Sequence, residues 1–222
     1  MMKLLVEALT KFVCGLLMVG LLIFLPAGTL RYPYGWLLIG LLFGPMLIAG
    51  FVMMAKSPAF LKKRLDAKER QGTQRGVVAV SGLMFIVGFV VAGLDFRFGW
   101  SNMPTWVVIT ASVLFLLAYA LYAEVMRENT YLSRTIKVEE GQTVGDTGMY
   151  GIVRHPMYAV TILLFLMIPL VLSSWYAMIA FAFYPAVIAV RLTDEENLLT
   201  KELPGYTEYK KKVKYRIIPF IW

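Results

Sequence analysis

Arg191, Glu195 and Glu196 place one cation and two carboxylates within six positions of a segment whose leucines recur at helical spacing. Across residues 192–203, Leu192, Leu199 and Leu203 form one apolar stripe at i, i+7 and i+11. Glu196 falls on that stripe, Glu195 lies on its shoulder, and Asp194 is expected to point away. A carboxylate on the apolar face of a helix is costly unless a cation or hydrogen-bond donors meet it. Arg191, four residues before Glu195, is placed to be such a partner. The arrangement reads either as a structural ion pair at a membrane surface or as charge kept for chemistry.

A second group precedes it. Arg154-His155-Pro156 opens a long uncharged run. Proline suits the first turn of a helix, and the free N–H groups beyond it favour an anion such as a carboxylate. Arg154 and His155 would add donors there; alternatively Arg154 reaches lipid headgroups and His155 caps the helix. Tyr158 reads as a further contact or as an interfacial anchor. Upstream, Gly141, Gly145, Gly148 and Gly151 punctuate a turn-rich loop in which backbone can approach a ligand closely. Their spacing is neither the dinucleotide fingerprint nor a P-loop, and no strand–helix alternation surrounds them. Any cofactor must therefore be held at the ends of membrane helices.

The elements that position these groups follow from composition. The 222-residue chain is 59% hydrophobic and 16% charged, with a mean hydropathy of +0.69, against about a quarter charged in soluble proteins. So small a chain cannot bury that much apolar surface in its own core, and a bilayer must solvate the excess. One cysteine, Cys14, excludes a disulfide framework; with one histidine, His155, no His- or Cys-rich metal cluster is expected. Charge-free runs cover 12–30, 32–55, 76–94, 98–123 and 155–190. A spanning helix needs about 20 residues, so the first four runs are one span each. The fifth would make roughly 54 Å of helix against a hydrocarbon core of about 30 Å. It is expected to fold into a hairpin of two short helices turning near Ser173-Ser174-Trp175.

This makes an all-α integral membrane protein of about six transmembrane helices, the last two a short helical hairpin. A cytoplasmic cofactor-binding loop precedes the hairpin, and C-terminal amphipathic helices follow it. Of 22 Lys and Arg residues, 20 lie in the terminal tails, 56–75 and 127–154, leaving only Arg31 and Arg97 opposite. By the positive-inside rule the termini and long loops are cytoplasmic. The chain divides into a four-span scaffold, 1–123, and a core of 124–222 that carries the polar residues. Gly40 and Gly44 are expected to pack helices closely. Phe60, Leu61 and Leu65 among Lys62, Lys63, Arg64 and Lys68 suggest a helix on anionic headgroups, or else a solvated basic loop. Lys210, Lys211, Lys212 and Lys214 fit headgroups better than nucleic acid, since no separate domain carries them. Tyr206, Tyr209 and Val213 share one face, and those lysines occupy others. The ending from Arg216 to Trp222 is too apolar for a free tail and should dock back.

Taken in order, these pieces resemble the isoprenylcysteine carboxyl methyltransferase family and its phospholipid methyltransferase relatives. The resemblance covers roughly residues 124–222. It rests on Thr147-Gly148-Met149-Tyr150, Arg154-His155-Pro156-Met157-Tyr158, and Arg191 four residues before Glu195-Glu196. Leu199, Leu203-Pro204-Gly205-Tyr206, Tyr209, Val213, Arg216 and Pro219 complete it. The family usually has a small residue where this chain has Val160. Resemblance implies S-adenosylmethionine as cofactor and a lipophilic acceptor entering from the bilayer. It implies cofactor contacts from Gln142, Thr143, Val144, Gly145 and Tyr150 in the loop, from His155, Pro156, Met157 and Tyr158 at the hairpin, and from Glu195. Arg191 matches the family's substrate-orienting arginine. With a carboxylate acceptor no base is needed; with an amine, Glu195 or Glu196 would be the base.

Three rival readings remain in view. Phospholipid amine N-methylation uses the same cofactor. Membrane sterol-type reductases, which use NADPH, share the Tyr215-Arg216-Ile217-Ile218-Pro219 ending, but their His-Pro motif continues to Gly-Asp, absent here. A small transporter or scaffold would place polar residues inside spans, yet no Arg, Lys, Asp or Glu falls within the five runs.

Overall fold

The computed structural model describes residues 1–65, 72–129, 131, 138 and 141–222, with 72 and 73 described by backbone alone. Among them the regular structure is entirely helical. In chain order it comprises α1 (Met2–Ala27), α2 (Pro33–Lys56), α3 (Pro58–Leu65), α4 (Gly72–Phe98) and α5 (Thr105–Glu128). A 3₁₀ turn (Gly148–Gly151) follows, then α6 (Pro156–Val171), α7 (Trp175–Phe181), α8 (Tyr184–Glu202) and α9 (Tyr206–Lys212). Among the described residues five segments are long and apolar enough to cross a membrane: α1, α2, α4, α5, and α7 with α8 together. The chain is an integral membrane protein. Helix α6 is equally apolar but has 16 residues, about 24 Å against a core of about 30 Å.

The over-long apolar run folds back where its polar residues cluster. Ser173 adopts a left-handed backbone with φ 58°. The Ser174 side chain then caps α7 by accepting from the Ala177 N–H at 3.0 Å. The returning arm breaks briefly at residues 182–183 before Pro185 enters the first turn of α8. One correction concerns the segment 192–203: it is the second half of α8, continuous with the apolar arm, and α9 alone is a separate C-terminal helix.

Helix α4 joins the two halves of the chain, packing on α1, α7 and α8, while α5 lies along α6. Phe85 on α4 meets Phe165 of α6 edge-on at 4.8 Å and Phe181 of α7 at 5.5 Å. With lipid as the alternative surroundings, such dispersion contacts are what bring spans together. The close approach expected at Gly40 and Gly44 is not made there, since nothing lies within 4 Å of a side chain built at either. It falls at Gly93, where a Cβ would stand 2.4 Å from the Ile23 carbonyl oxygen. Helix α3 docks on the bundle: Leu61 is buried, Lys11 Nζ reaches the Leu65 carbonyl at 2.8 Å, and Arg64 donates to the Tyr122 hydroxyl. Lys68, expected to extend this helix, lies outside the described residues.

The end of the bundle away from most basic residues is tied by Asp95, which is 2% exposed. Its carboxylate accepts from the Ser101 N–H and hydroxyl, both at 2.6 Å, and from the Ser174 hydroxyl. Ser101 Oγ accepts from the Trp175 N–H at 2.9 Å. Three loops and helix ends thus converge on one carboxylate.

Candidate functional site

The opposite, basic end is organised by the last turns of α8. Glu196 is 2% exposed, as its place on the leucine stripe requires, and its partners come from two other segments. Arg154 Nε donates to one carboxylate oxygen at 2.7 Å, and His155 Nε2 lies 3.3 Å from the same oxygen. Arg216 donates to the other through Nε at 3.1 Å and Nη2 at 3.0 Å. Arg154 Nη1 also donates to the carbonyls of Val213 and Lys214, each at 2.8 Å. Arg154 therefore does not reach for headgroups, and the His155 side chain does not cap α6. Both face Glu196. Charge-assisted bonds from two guanidinium groups hold this carboxylate.

Glu195, one residue earlier and about 100° around the helix, stands in different surroundings. It is half-buried, and the Tyr158 hydroxyl donates to its Oε2. Its second oxygen takes no hydrogen bond from the described residues. Arg191 Nε donates to the same Tyr158 hydroxyl at 3.1 Å, and Arg191 Nη1 donates to Gln74 Oε1 at 3.2 Å. Gln74 in turn donates through Nε2 to Asp194 Oδ2 at 3.0 Å. Asp194 is thus directed at α4, which corrects the expectation that it points away. The expected direct Arg191–Glu195 partnership is replaced by a contact that both make on Tyr158. His155 stacks against Tyr158 with ring centroids 5.7 Å apart.

The loop and tail close over this end. Val144 packs on the face of α9 formed by Tyr206 and Tyr209 together with Leu203 and Val213, so the aromatic face expected beyond Pro204-Gly205 is present. Gln142 is half-buried, and Thr143 and Gly145 are exposed. Lys212 Nζ donates to Asp146 at 2.6 Å and holds its carboxyl below the usual carboxylate range. A cavity of about 270 Å³ lies between loop and helix, lined by Val144, Asp146, Gly205, Glu208, Tyr209 and Lys212. Tyr209 donates to the Tyr150 carbonyl at 2.7 Å, and burial pushes the Tyr150 hydroxyl up to about 12 although Asn129 donates to it. Gly148 requires its residue type: φ is +52°, and a Cβ would stand 1.5 Å from Glu128 Oε1. Glu128 accepts from the Met149 N–H at 3.0 Å and so fixes the turn.

The tail docks as expected, pairing the N–H groups of Arg154 and His155 with the carbonyls of Tyr215 and Arg216 at 2.9 and 2.8 Å. It thereby covers part of the helix end that the sequence offers to an anion. Pro156 and Val160 face an apolar crevice of about 230 Å³, with Met149, Val153, Ile217 and Pro219 among its walls. Val160 is 3% exposed and fills space there. Met157 and Tyr158 are half-buried on other faces of α6.

The structure thus brings Tyr158, Arg191 and Glu195 into one hydrogen-bonded chain, places His155 and Glu196 in the ion-paired cluster beside it, and sets residues 142–145 nearer α9. Sequence reasoning missed Gln74, Asp194 and Glu128 in this neighbourhood. Gln74 is fully buried at the basic end of α4, and its only sequence signal is an uncharged polar residue just before an apolar run.

Residues 105–201 match the model of the isoprenylcysteine carboxyl methyltransferase (ICMT) family, which bears out the resemblance read from the sequence. The matched span differs from the expected one at both ends. It takes in α5, the fourth span, and stops before the Leu203-Pro204-Gly205 tail. No curated protein matches the chain significantly.

Proposed function

With residues 105–201 carrying the sequence of the ICMT family, we propose that the protein is an S-adenosylmethionine-dependent carboxyl O-methyltransferase acting on a lipophilic, isoprenylcysteine-type acid held at the basic end of the bundle. The observation that carries this reading is the Arg191–Tyr158–Glu195 chain of hydrogen bonds, which sets a cation and a carboxylate side by side on one phenol. The basic end would face the cytoplasm, with both termini there.

The residues suit the two reactants. Glu195, half-buried with an oxygen uncommitted among the described residues, can accept from the cofactor's ammonium group. The Tyr158 and His155 rings beside it offer apolar and aromatic surface to the remainder, and the loop from Gln142 to Gly145 with Tyr150 bounds the same end. When bound, S-adenosylmethionine supplies an electrophilic methyl group on a sulfonium. Arg191 would hold the acceptor carboxylate by charge-assisted bonds and keep it ionised. As the carboxylate oxygen–methyl bond forms, the methyl–sulfur bond breaks. Cation and anion become thioether and ester, and no proton is released. The protein's contribution is orientation and exclusion of water, and it needs no general base. Glu196, enclosed by Arg154, His155 and Arg216, braces α8 beneath Glu195.

The test is incubation of detergent-solubilised protein with methyl-labelled cofactor and a total lipid extract, followed by identification of the labelled product. The expected product is an alkali-labile methyl ester. Label on a phospholipid amine would overturn the carboxylate assignment. NADPH binding without cofactor binding would overturn methyl transfer altogether.

A further inference from the structure

The segment from Lys210 to Trp222 carries five Lys and Arg residues and no Asp or Glu. Two of the five are committed, Lys212 to Asp146 and Arg216 to Glu196. Lys210, Lys211 and Lys214 meet no acidic group among the described residues, and Lys211 and Lys214 are exposed. Beyond them the chain closes a tight turn. The Ile217 and Ile218 N–H groups both donate to the Trp222 carbonyl at 2.9 Å, and the Trp222 N–H donates to the Ile218 carbonyl at 3.1 Å. Ile217 is buried, whereas Phe220 and Ile221 are 87% and 78% exposed and Ile218 is half-exposed. This apolar tip stands beside membrane-spanning surface. Ile217 and Pro219 share a crevice with Leu121 of α5 and with Ala159 and Leu163 of α6. Leu163 lies about 10 Å along α6 from its first residue, Pro156. The exposed side chains therefore sit where the bundle passes from its basic end into its apolar flanks.

We propose that residues 210–222 are an interfacial anchor for an anionic phospholipid leaflet. Ile218, Phe220, Ile221 and Trp222 enter the boundary between headgroups and hydrocarbon, and Lys210, Lys211 and Lys214 meet the phosphate charges there. Charge decides the partner. A second copy of the chain would bring its own lysines against these three. A leaflet already borders α5 and α6, supplies the opposite charge, and takes apolar side chains at the depth that the crevice defines. Tryptophan is a residue type enriched at that depth. The anchor also bears on the buried cluster. The Arg216 guanidinium lies 5.5 Å from the Trp222 ring centroid while it pairs with Glu196. The carbonyls of Tyr215 and Arg216 hold the N–H groups of Arg154 and His155. A tip seated in lipid keeps Arg216 on Glu196, and a tip drawn into water loosens that contact. This anchoring is independent of which reaction the bundle end performs.

The experiment places the 222-residue protein, one copy per disc, in nanodiscs of phosphatidylcholine alone or with about 30% phosphatidylglycerol. Hydrogen exchange then follows the amides of residues 154–155 and 215–222. Protection at both should be greater in the anionic discs, by about fivefold for each lysine engaged. The gain should vanish at about 1 M salt, where screening shortens to about 3 Å. Replacing Lys210, Lys211 and Lys214 together with glutamine should abolish the gain and leave protection in neutral lipid unchanged. Phe220→Ser with Ile221→Ser should lower protection in both lipids. Exchange at residues 174–177, at the Asp95 end, should match wild type in every variant, which separates loss of the anchor from loss of the fold. Equal wild-type protection in the two lipids would overturn the proposal without reference to any variant. A gain that survives high salt or the three glutamines would overturn it too. Protection that arises only when two copies share a disc would assign the tip to self-association and likewise overturn it.

Discussion

Among the described residues two carboxylates are buried, Asp95 at one end of the bundle and Glu196 at the other, and they are satisfied by different chemistry. Asp95 is met by two serine hydroxyls and a backbone N–H. All are neutral donors, drawn from the α4–α5 connection and the α6–α7 turn. Glu196 is met by two guanidinium groups and an imidazole. The first arrangement closes on itself: each hydroxyl that donates to Asp95 also accepts from a backbone N–H in the first turn of α7. The second does not close, because one residue before Glu196 the chain presents Glu195, with an oxygen that no described residue binds. A bundle end that only has to hold together uses up its polar groups. The end where chemistry is proposed keeps some in reserve beside a rigid ion-paired base.

That contrast is most severely tested at Arg154. Replacing it with leucine leaves Glu196 buried with fewer cations and orphans two carbonyls, which should cost about 3–5 kcal/mol. Both thermal stability and cofactor binding should fall. A protein as stable as wild type would show the cluster to be dispensable and the two ends less different than their geometry suggests. Glu195→Ala should separate stability from function: cofactor affinity should drop on the order of a hundredfold with the melting temperature nearly unchanged. If affinity stays at the wild-type value, Glu195 reverts to a structural partner of Tyr158. Arg191→Ala should leave cofactor binding intact and lower kcat/KM for the acid some 10- to 100-fold, as steady-state kinetics can check.

The corresponding change at the far end is Ser174→Ala. It removes the cap of α7 and one donor to Asp95, which should cost about 1–2 kcal/mol. Activity per folded molecule should not move. A substantial loss of turnover there would mean that the two ends are coupled through the α6–α7 hairpin.

Much of this contrast was legible in sequence, and what was not has physical reasons. The turn at residues 173–174 follows from hydrocarbon thickness, since the 36-residue uncharged run from 155 to 190 cannot cross once. That Glu196 needs a cation follows from its place on the leucine stripe. Which cation does not: Arg154 is 42 residues away and Arg216 is 20, and helical periodicity speaks only for neighbours within a turn. The same limit sent Arg191 to Glu195 by i, i+4 spacing, whereas Tyr158, brought in by α6, stands between them. Gln74 and Asp95 are single polar residues at the ends of apolar runs, where a sequence reads only a boundary. Their partners Asp194 and Ser174 lie 120 and 79 residues further on. Gly93, not Gly40 or Gly44, carries the close helix contact, because small-residue spacing gives a capacity for approach without giving the partner.

The smallest effect expected lies at the edge of the site, where Lys212 holds Asp146 and with it the loop that reaches Val144 and α9. Both side chains are largely exposed, so the pair adds little to global stability. The lysine lowers the Asp146 pKa, which fixes the sign. The contact is fully present above the ordinary aspartate range and weakens as pH falls through the lowered value. Hydrogen exchange at residues 142–146 should therefore be flat from neutral pH down to the ordinary aspartate range, after correction for intrinsic rates. Protection should then be lost at more acidic pH. In Asp146→Asn the early protection should already be absent at neutral pH, while the Asp95 end exchanges as in wild type. If the variant's loop is as protected as the native one, Val144 alone holds the loop on α9. The reserve of polar groups at this end would then reside entirely in the α8 residues.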